Sequence, residues 1–212
     1  HLKDTGDALM KPRLDTRGGL LLEDVEEAGD VLDSLLRKLV RNPLHPEQAE
    51  LDSVIATLMD LLGAGHDTTA NALAFCLGHL AQPKNFEWQA RVSDPSCSDS
   101  VVAAYSETLR LFPLGAAFSR VATDDVVVRG VAIKEGTEIL ISPYAMGRDP
   151  LEWEESGIFS PEKFLVKQQS SGPEGNSSNK TTSSCPAARS PAYAPYGGGR
   201  RYCVGAGFAQ VE

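Results

Sequence analysis

What the 212-residue chain lacks closes off several classes of function. Its four cysteines, Cys76, Cys97, Cys185 and Cys203, stand far apart, with no C-x-x-C pair among them. That spacing leaves a zinc ribbon or a redox dithiol without support, and scattered thiols fit a reducing compartment. Basic residues are outnumbered, 20 Lys and Arg against 29 Asp and Glu, giving a net charge of −9. With no basic stripe to offset this balance, nucleic-acid binding is not expected. No run of eighteen apolar residues occurs, so no segment reads as a membrane-spanning helix. The chain opens with neither Met nor a signal-peptide pattern. It stops at Glu212 where a helix is due to begin, and both ends read as cut from something longer.

What is present suffices for a core: 42% of the residues are apolar, and the length allows one or two domains. Residues 1–19 are polar and expected to be poorly ordered. Val25, Ala28, Leu32, Leu35, Leu36 and Leu39 recur at helical spacing over 20–41. Asn42-Pro43 ends that helix, and Pro46 suits the first turn of the next. Leu51, Val54, Ile55, Leu58 and Leu62 then mark one face of a long helix running towards Leu80. A shorter helix is predicted over 99–111, with Val102, Tyr105, Leu109 and Phe112 inward and Pro113 as its stop. Beyond it, Phe118–Thr123, Val126–Ile133 and Thr137–Ser142 are β-rich, with Lys134-Glu135-Gly136 as a hairpin turn. Residues 168–190 are Ser, Thr, Asn, Gly and Pro with almost nothing apolar, the composition of a disordered surface insertion.

The densest chemical signal is Tyr196-Gly197-Gly198-Gly199-Arg200-Arg201-Tyr202-Cys203-Val204-Gly205. Glycines on both sides of one cysteine allow unusual dihedrals and close approach of a flat ligand. Two arginines and a helix starting near Val204 would favour thiolate over thiol. Such a cysteine suits ligation of one soft metal centre; the bland alternative is a Gly-rich turn with an incidental thiol. A second cluster, Ala64-Gly65-His66-Asp67-Thr68-Thr69, lies within the long helix. Gly63 and Gly65 each cost about 1 kcal/mol relative to Ala there, and the threonine hydroxyls can bond back to the preceding turn. Local opening of the helix into a groove is one reading; close helix packing through small residues is the other. Glu107 and Arg110, three apart on a helix, are neighbours, which alone means an ordinary surface pair.

Together these segments resemble the cytochrome P450 family. The run aromatic-x-x-Gly-x-Arg-x-Cys-x-Gly is similar to its haem-binding loop, with Tyr196 where Phe is usual. Residues 64–69 resemble its oxygen-binding helix, Glu107-Thr108-Leu109-Arg110 its Glu-x-x-Arg helix, and Phe159–Phe164 its Pro-Glu-Arg-Phe segment. Arg148-Asp149-Pro150 with Trp153 matches a further landmark. The resemblance implies a mainly α fold with a small β ribbon, the C-terminal half of that fold, as a single partial catalytic domain over 1–212. It implies heme b with Cys203 as the iron's thiolate ligand. Arg120 and Arg201 would meet the propionates, and Tyr196, Gly199, Gly205, Ala64 and Gly65 would contact the cofactor. Thr68 and Asp67 would deliver protons; adjacent on a helix, they cannot both touch the oxygen without a rotamer change or a water. His66 faces solvent or protein. Glu107, Arg110 and residue 163 would form a structural triad, weakened or rewired because Lys163 stands where arginine is usual.

The function so implied is a haem-thiolate monooxygenase, inserting one atom of O2 into a small hydrophobic organic substrate with electrons from a reductase or ferredoxin. The piece given would itself be inactive. Alternatives are a haem-thiolate peroxide isomerase or dehydratase, which needs no acid–threonine pair, and a non-catalytic truncated homologue. Membrane contact would come only through segments outside 1–212, at the endoplasmic reticulum or a plastid in a eukaryote.

Overall fold

A computed structural model describes Ala8, Met10 and residues 30–42, 45–165 and 190–211. The helical pattern at 20–29, nearly all of 1–19 and the 168–190 insertion except Ser190 lie outside the described residues. The chain divides into two compact units, His1–Asp67 and Thr68–Glu212.

In the first unit, α1 spans Val31–Leu39 and the long helix α2 starts at Gln48. Asp30 caps α1, its carboxylate accepting the Asp33 N–H at 2.9 Å, and Arg37 and Lys38 sit in its last turn, where a cation suits the helix dipole. Met10, Leu32, Leu36, Val40 and Val54 form the core, with Leu51, Ile55 and Leu58 packed on it. Leu62, expected on that face, is exposed.

The helix α2 continues to Leu80, 33 residues without interruption. The expected opening at 64–69 is absent: the hydrogen-bond ladder stays α-helical through both glycines. Close packing does not explain them either. A Cβ on Gly63 or Gly65 would meet no atom within 4 Å. In the second unit the buried residues of α2 are Thr69, Ala72, Cys76 and Leu80, a stripe at helical spacing.

That unit adds a 3-10 turn at Pro83–Asn85, α3 (Phe86–Val92) and α4 (Ser98–Leu111). Cys76, Leu80, Trp88, Ala103, Ala104, Leu111, Trp153, Phe159, Phe164 and Ala192 make one core. On α4 and its C-cap, Leu109 is buried and Tyr105 and Phe112 are half-buried, as expected, but Val102 is not inward. Val102 is 59% exposed, whereas Ala103, Ala104, Glu107, Thr108 and Leu111 are buried. The apolar pattern misled because two charged residues belong to the inward face.

The ribbon is also divided differently. β1 (Phe118–Val121) pairs antiparallel with β4 (Glu138–Ile141), setting Arg120 opposite Ile139. The run 126–133 is no single strand. It is itself a hairpin, β2 (Val126–Val128) on β3 (Val131–Ile133), folded at Arg129-Gly130. Both turn residues have positive φ, 47° and 83°, the requirement of a tight two-residue hairpin. Lys134-Glu135-Gly136 instead joins β3 to β4, with Lys134 Nζ on Asp125 Oδ2 at 2.6 Å. Val127, Val128 and Val131 are left exposed. After β4 come α5 (Pro143–Met146), a 3-10 turn at Pro161–Phe164, another at Gly199–Arg201, and α6 (Ala206–Ala209).

The pair on α4 is fully buried, both side chains 0% exposed. Arg110 donates from Nε to Glu107 Oε2 at 2.6 Å and from Nη2 to Oε1 at 2.7 Å. Nη1 also donates to the carbonyls of Gly147 and Ser156, and Nη2 to that of Ile158. All five guanidinium N–H groups are thereby used. The third donor to Glu107 is the Ser160 backbone N–H, 2.8 Å from Oε1. Removing one member of such a buried pair strands the other, at a cost of about 3–5 kcal/mol. Glu107→Ala is therefore expected to lower unfolding free energy by about that much, read from urea denaturation followed by tryptophan fluorescence. Gly63→Ala, with open space for its methyl, is expected to stabilise the chain by about 1 kcal/mol, read as a raised melting temperature.

Candidate functional site

The cysteine loop is shaped by its glycines. Gly197 and Gly199 take φ of 73° and 63°, the left-handed region that a side chain resists. The chain then turns through the 3-10 stretch Gly199–Arg201, and the Cys203 N–H returns to the Tyr196 carbonyl at 3.0 Å. The loop is closed across its base, with the thiol at its end. Cys203 is free and exposed. A Cβ on Gly205 would sit 3.9 Å from its sulfur, so a side chain there would touch the thiol that glycine leaves open. The following helix starts at Ala206, later than expected, and spans only four residues.

Tyr196 opens the loop, its ring 6.2 Å from that of Tyr202. Its hydroxyl oxygen is shut off from solvent without a partner at hydrogen-bond geometry among the described residues. Burial first, and then the nearby Tyr105 hydroxyl, push its pKa well above the usual phenol range. Tyr193, three residues earlier, donates to the Ser106 carbonyl on α4 at 3.3 Å, and its ring packs 4.9 Å from Phe164. Trp153 lies under the same group, with the Arg110 guanidinium 5.1 Å from its ring and its indole N–H on the Met146 carbonyl. The loop therefore stands on the block organised by Glu107 and Arg110.

The remaining expected residues are spread over separate elements. Arg201 is exposed within the loop. Arg120 is on β1, half-buried, with Nη1 on the Ser119 carbonyl at 2.8 Å and its guanidinium 4.9 Å from the Phe118 ring. Ala64, Asp67 and Thr68 are exposed on α2, and Gly65 is half-buried. Lys163 is half-buried in the 161–164 turn. Among the described residues no three His, Cys, Asp or Glu side chains cluster to hold a metal ion. A metal at this loop would thus take Cys203 as a lone protein ligand, and a soft exposed thiol with no disulfide partner fits that use.

Sequence reasoning missed two features of the surroundings. The Trp88 indole N–H donates to Glu162 Oε1 at 2.6 Å, a contact across 74 positions with no local signature. Arg148 is sandwiched, 3.8 Å from the Tyr144 ring and 5.0 Å from Phe112; only its place in the Arg-Asp-Pro run hinted at a role.

Comparison with known proteins bears on the whole assembly. The sequence model of the family described as Cytochrome P450 matches residues 4–93 and 101–212. Cytochrome P450 93G1 of Oryza sativa subsp. japonica is 30% identical over 96% of this chain and 38% of its own length. Cytochrome P450 3A5 of Homo sapiens is 31% identical over 79% of this chain and 33% of its own. Geranylhydroquinone 3''-hydroxylase CYP76B74 of Arnebia euchroma is 31% identical over 83% and 35%. The chain spans about a third of the length of these relatives. Haem ligated by a cysteine thiolate is typical of their family. A match that takes in the buried Glu107–Arg110 pair, the 64–69 segment and the glycine-bounded Cys203 loop leaves one assignment: this chain belongs to the cytochrome P450 family.

Proposed function

We propose that the chain supplies the cysteine-ligand side of a haem-thiolate monooxygenase that inserts one oxygen atom of O2 into a small hydrophobic organic substrate. The observation that carries the reading is the free, exposed Cys203 thiol on a loop closed by its own backbone N–H and standing on the Glu107–Arg110 block. Cys203 would hold the iron of heme b as thiolate. Arg120 and Arg201 would pair with the propionates, since a guanidinium suits a carboxylate. Gly199, Gly205 and Tyr196 would border the macrocycle on the sulfur side. Ala64 and Gly65 would be further cofactor contacts. When bound, the group would supply reductive activation of O2; the protein's share is orientation, protonation and tuning.

In this reading Thr68 holds a proton donor's hydrogen bond at the oxygen side, and Asp67 exchanges that proton with solvent. Both side chains sit on exposed helix surface. Adjacent helical positions diverge by roughly 100°, so a rotamer change or a water would have to link the two. The electron donor is a reductase or ferredoxin. Arg200 and Arg201, both exposed on an acidic chain, favour a donor with an acidic docking face. No helix among the described residues is long and apolar enough to cross a membrane; membrane contact would come through other segments of a longer protein.

In the full-length protein, Cys203→Ser is expected to abolish the thiolate-type absorption of the reduced carbonyl complex. An unchanged spectrum would reject Cys203 as the ligand. Thr68→Ala is expected to divert reducing equivalents to peroxide and lower coupled product formation on the order of 10²-fold, the usual scale for a proton-transfer group. Measuring product and peroxide per electron consumed checks this, and an unaltered ratio would remove Thr68 from the relay.

A further inference from the structure

We propose that Glu162 is a positioning residue for the cysteine loop, acting through a bond to the Trp88 indole that bolts the 161–164 turn to α3. The inference rests on reading 196–205 as the ligand loop and adds the element that holds that loop in place.

The argument starts from the position next door. Lys163 cannot make the planar two-pronged contact of an arginine. The Glu107 carboxylate also accepts the Ser160 backbone N–H. A backbone donor fixes the start of the turn but leaves its far end to other contacts. Glu162 provides them. Oε1 accepts the Trp88 indole N–H at 2.6 Å, and Oε2 accepts the Ser160 hydroxyl at 3.0 Å. Trp88 is buried in the second unit's core, and the Arg91 guanidinium covers its ring at 4.3 Å. The carboxylate therefore grips a side chain that is itself immobilised on two faces. Burial alone would raise the Glu162 carboxyl. Hydrogen bonds from its own N–H, the indole and the Ser160 hydroxyl outweigh that and hold it below its ordinary pKa, so it is ionised at neutral pH.

The turn transmits this constraint through Phe164. Its ring is 4.9 Å from Tyr193 and 6.2 Å from Trp153. Tyr193 is tied to α4 through Ser106 and leads directly into Pro195-Tyr196, whose carbonyl receives the Cys203 N–H. If the Glu162 bond is lost, Phe164 loosens first, then the Tyr193 ring, then the base of the loop. The Arg110 guanidinium keeps its five bonds, because none of them involves residues 161–164.

Amide hydrogen exchange on the chain itself tests this, with no cofactor required. Glu162→Ala is expected to speed exchange of the Cys203 N–H about tenfold, while amides of α1 and of α4 near Arg110 keep their rates. Glu162→Gln, which retains an acceptor for the indole, is expected to restore most of the protection, and Trp88→Phe to mimic the alanine variant. An unchanged Cys203 rate in both Glu162→Ala and Trp88→Phe would overturn the proposal. A uniform rise across the second unit would do the same, since it would mark a general loss of stability. Should the alanine variant fail to fold, the Trp88 indole resonance of the unmodified chain is expected to titrate with a midpoint below 4.5, the ordinary Glu value. An indole signal blind to acid would refute the bond. Failure of the ligand reading shows separately, as an unaltered carbonyl spectrum in Cys203→Ser.

Discussion

The second unit is organised by one guanidinium with every donor engaged. Arg110 joins its own helix to the carbonyls of Gly147, Ser156 and Ile158 while its charge is matched by Glu107. An ion pair taken wholly out of water gains little net free energy against an apolar replacement. What it imposes is geometry. Three carbonyls of a segment with little regular structure must converge on one planar fork, which specifies the path from α5 to the 161–164 turn in the absence of strands or long helices. Phe159, Phe164 and Trp153 fill the space around that path. The cysteine loop, by way of Tyr193, is built on the result.

Much of this was readable beforehand, and the reasons differ by element. α4 was predicted at 99–111 and spans 98–111, because Pro113 and a polar N-terminal stretch bound it on both sides. α2 was legible to Leu80 for the same kind of reason, Pro83 following its end. Its inward face was legible only where leucine and valine mark it; Leu62 is exposed and small residues take over beyond it. The β region failed at Arg129-Gly130. Valines on both sides of that dipeptide show no two-residue alternation, and arginine is an uncommon choice for a positive φ. Val102 failed because an inward Glu and Arg contradict an apolar-face rule. At the site, the Cys203 loop was legible from spacing, whereas the Trp88–Glu162 bond depends on two segments meeting and leaves no periodic trace.

Tyr196 shows how a small departure from a pattern changes the physics around a ligand. Its aromatic body keeps the ring at that position, but it brings a hydroxyl into a space with no partner at bonding geometry among the described residues. A buried unpaired hydroxyl is costly, about 1–3 kcal/mol. Burial above all, and then the neighbouring Tyr105, Tyr193 and Tyr202, keep that hydroxyl protonated, so the region is polar but uncharged. The sulfur side of the proposed site is thus more polar than a phenylalanine at 196 would make it, and polarity near a ligating sulfur is one of the levers on a metal's potential.

The valine hairpin carries a practical consequence for handling the protein. β2 and β3 pair only with each other among the described residues, so each presents an outer row of unpaired backbone groups beneath exposed, β-branched side chains. Such a margin is a ready template for another copy of itself. Arg129 at the tip and the Lys134–Asp125 pair at the base are the charges that stand guard over it. Neutralising those charges, by substitution or by strong salt, would leave that margin open to strand addition by a second copy.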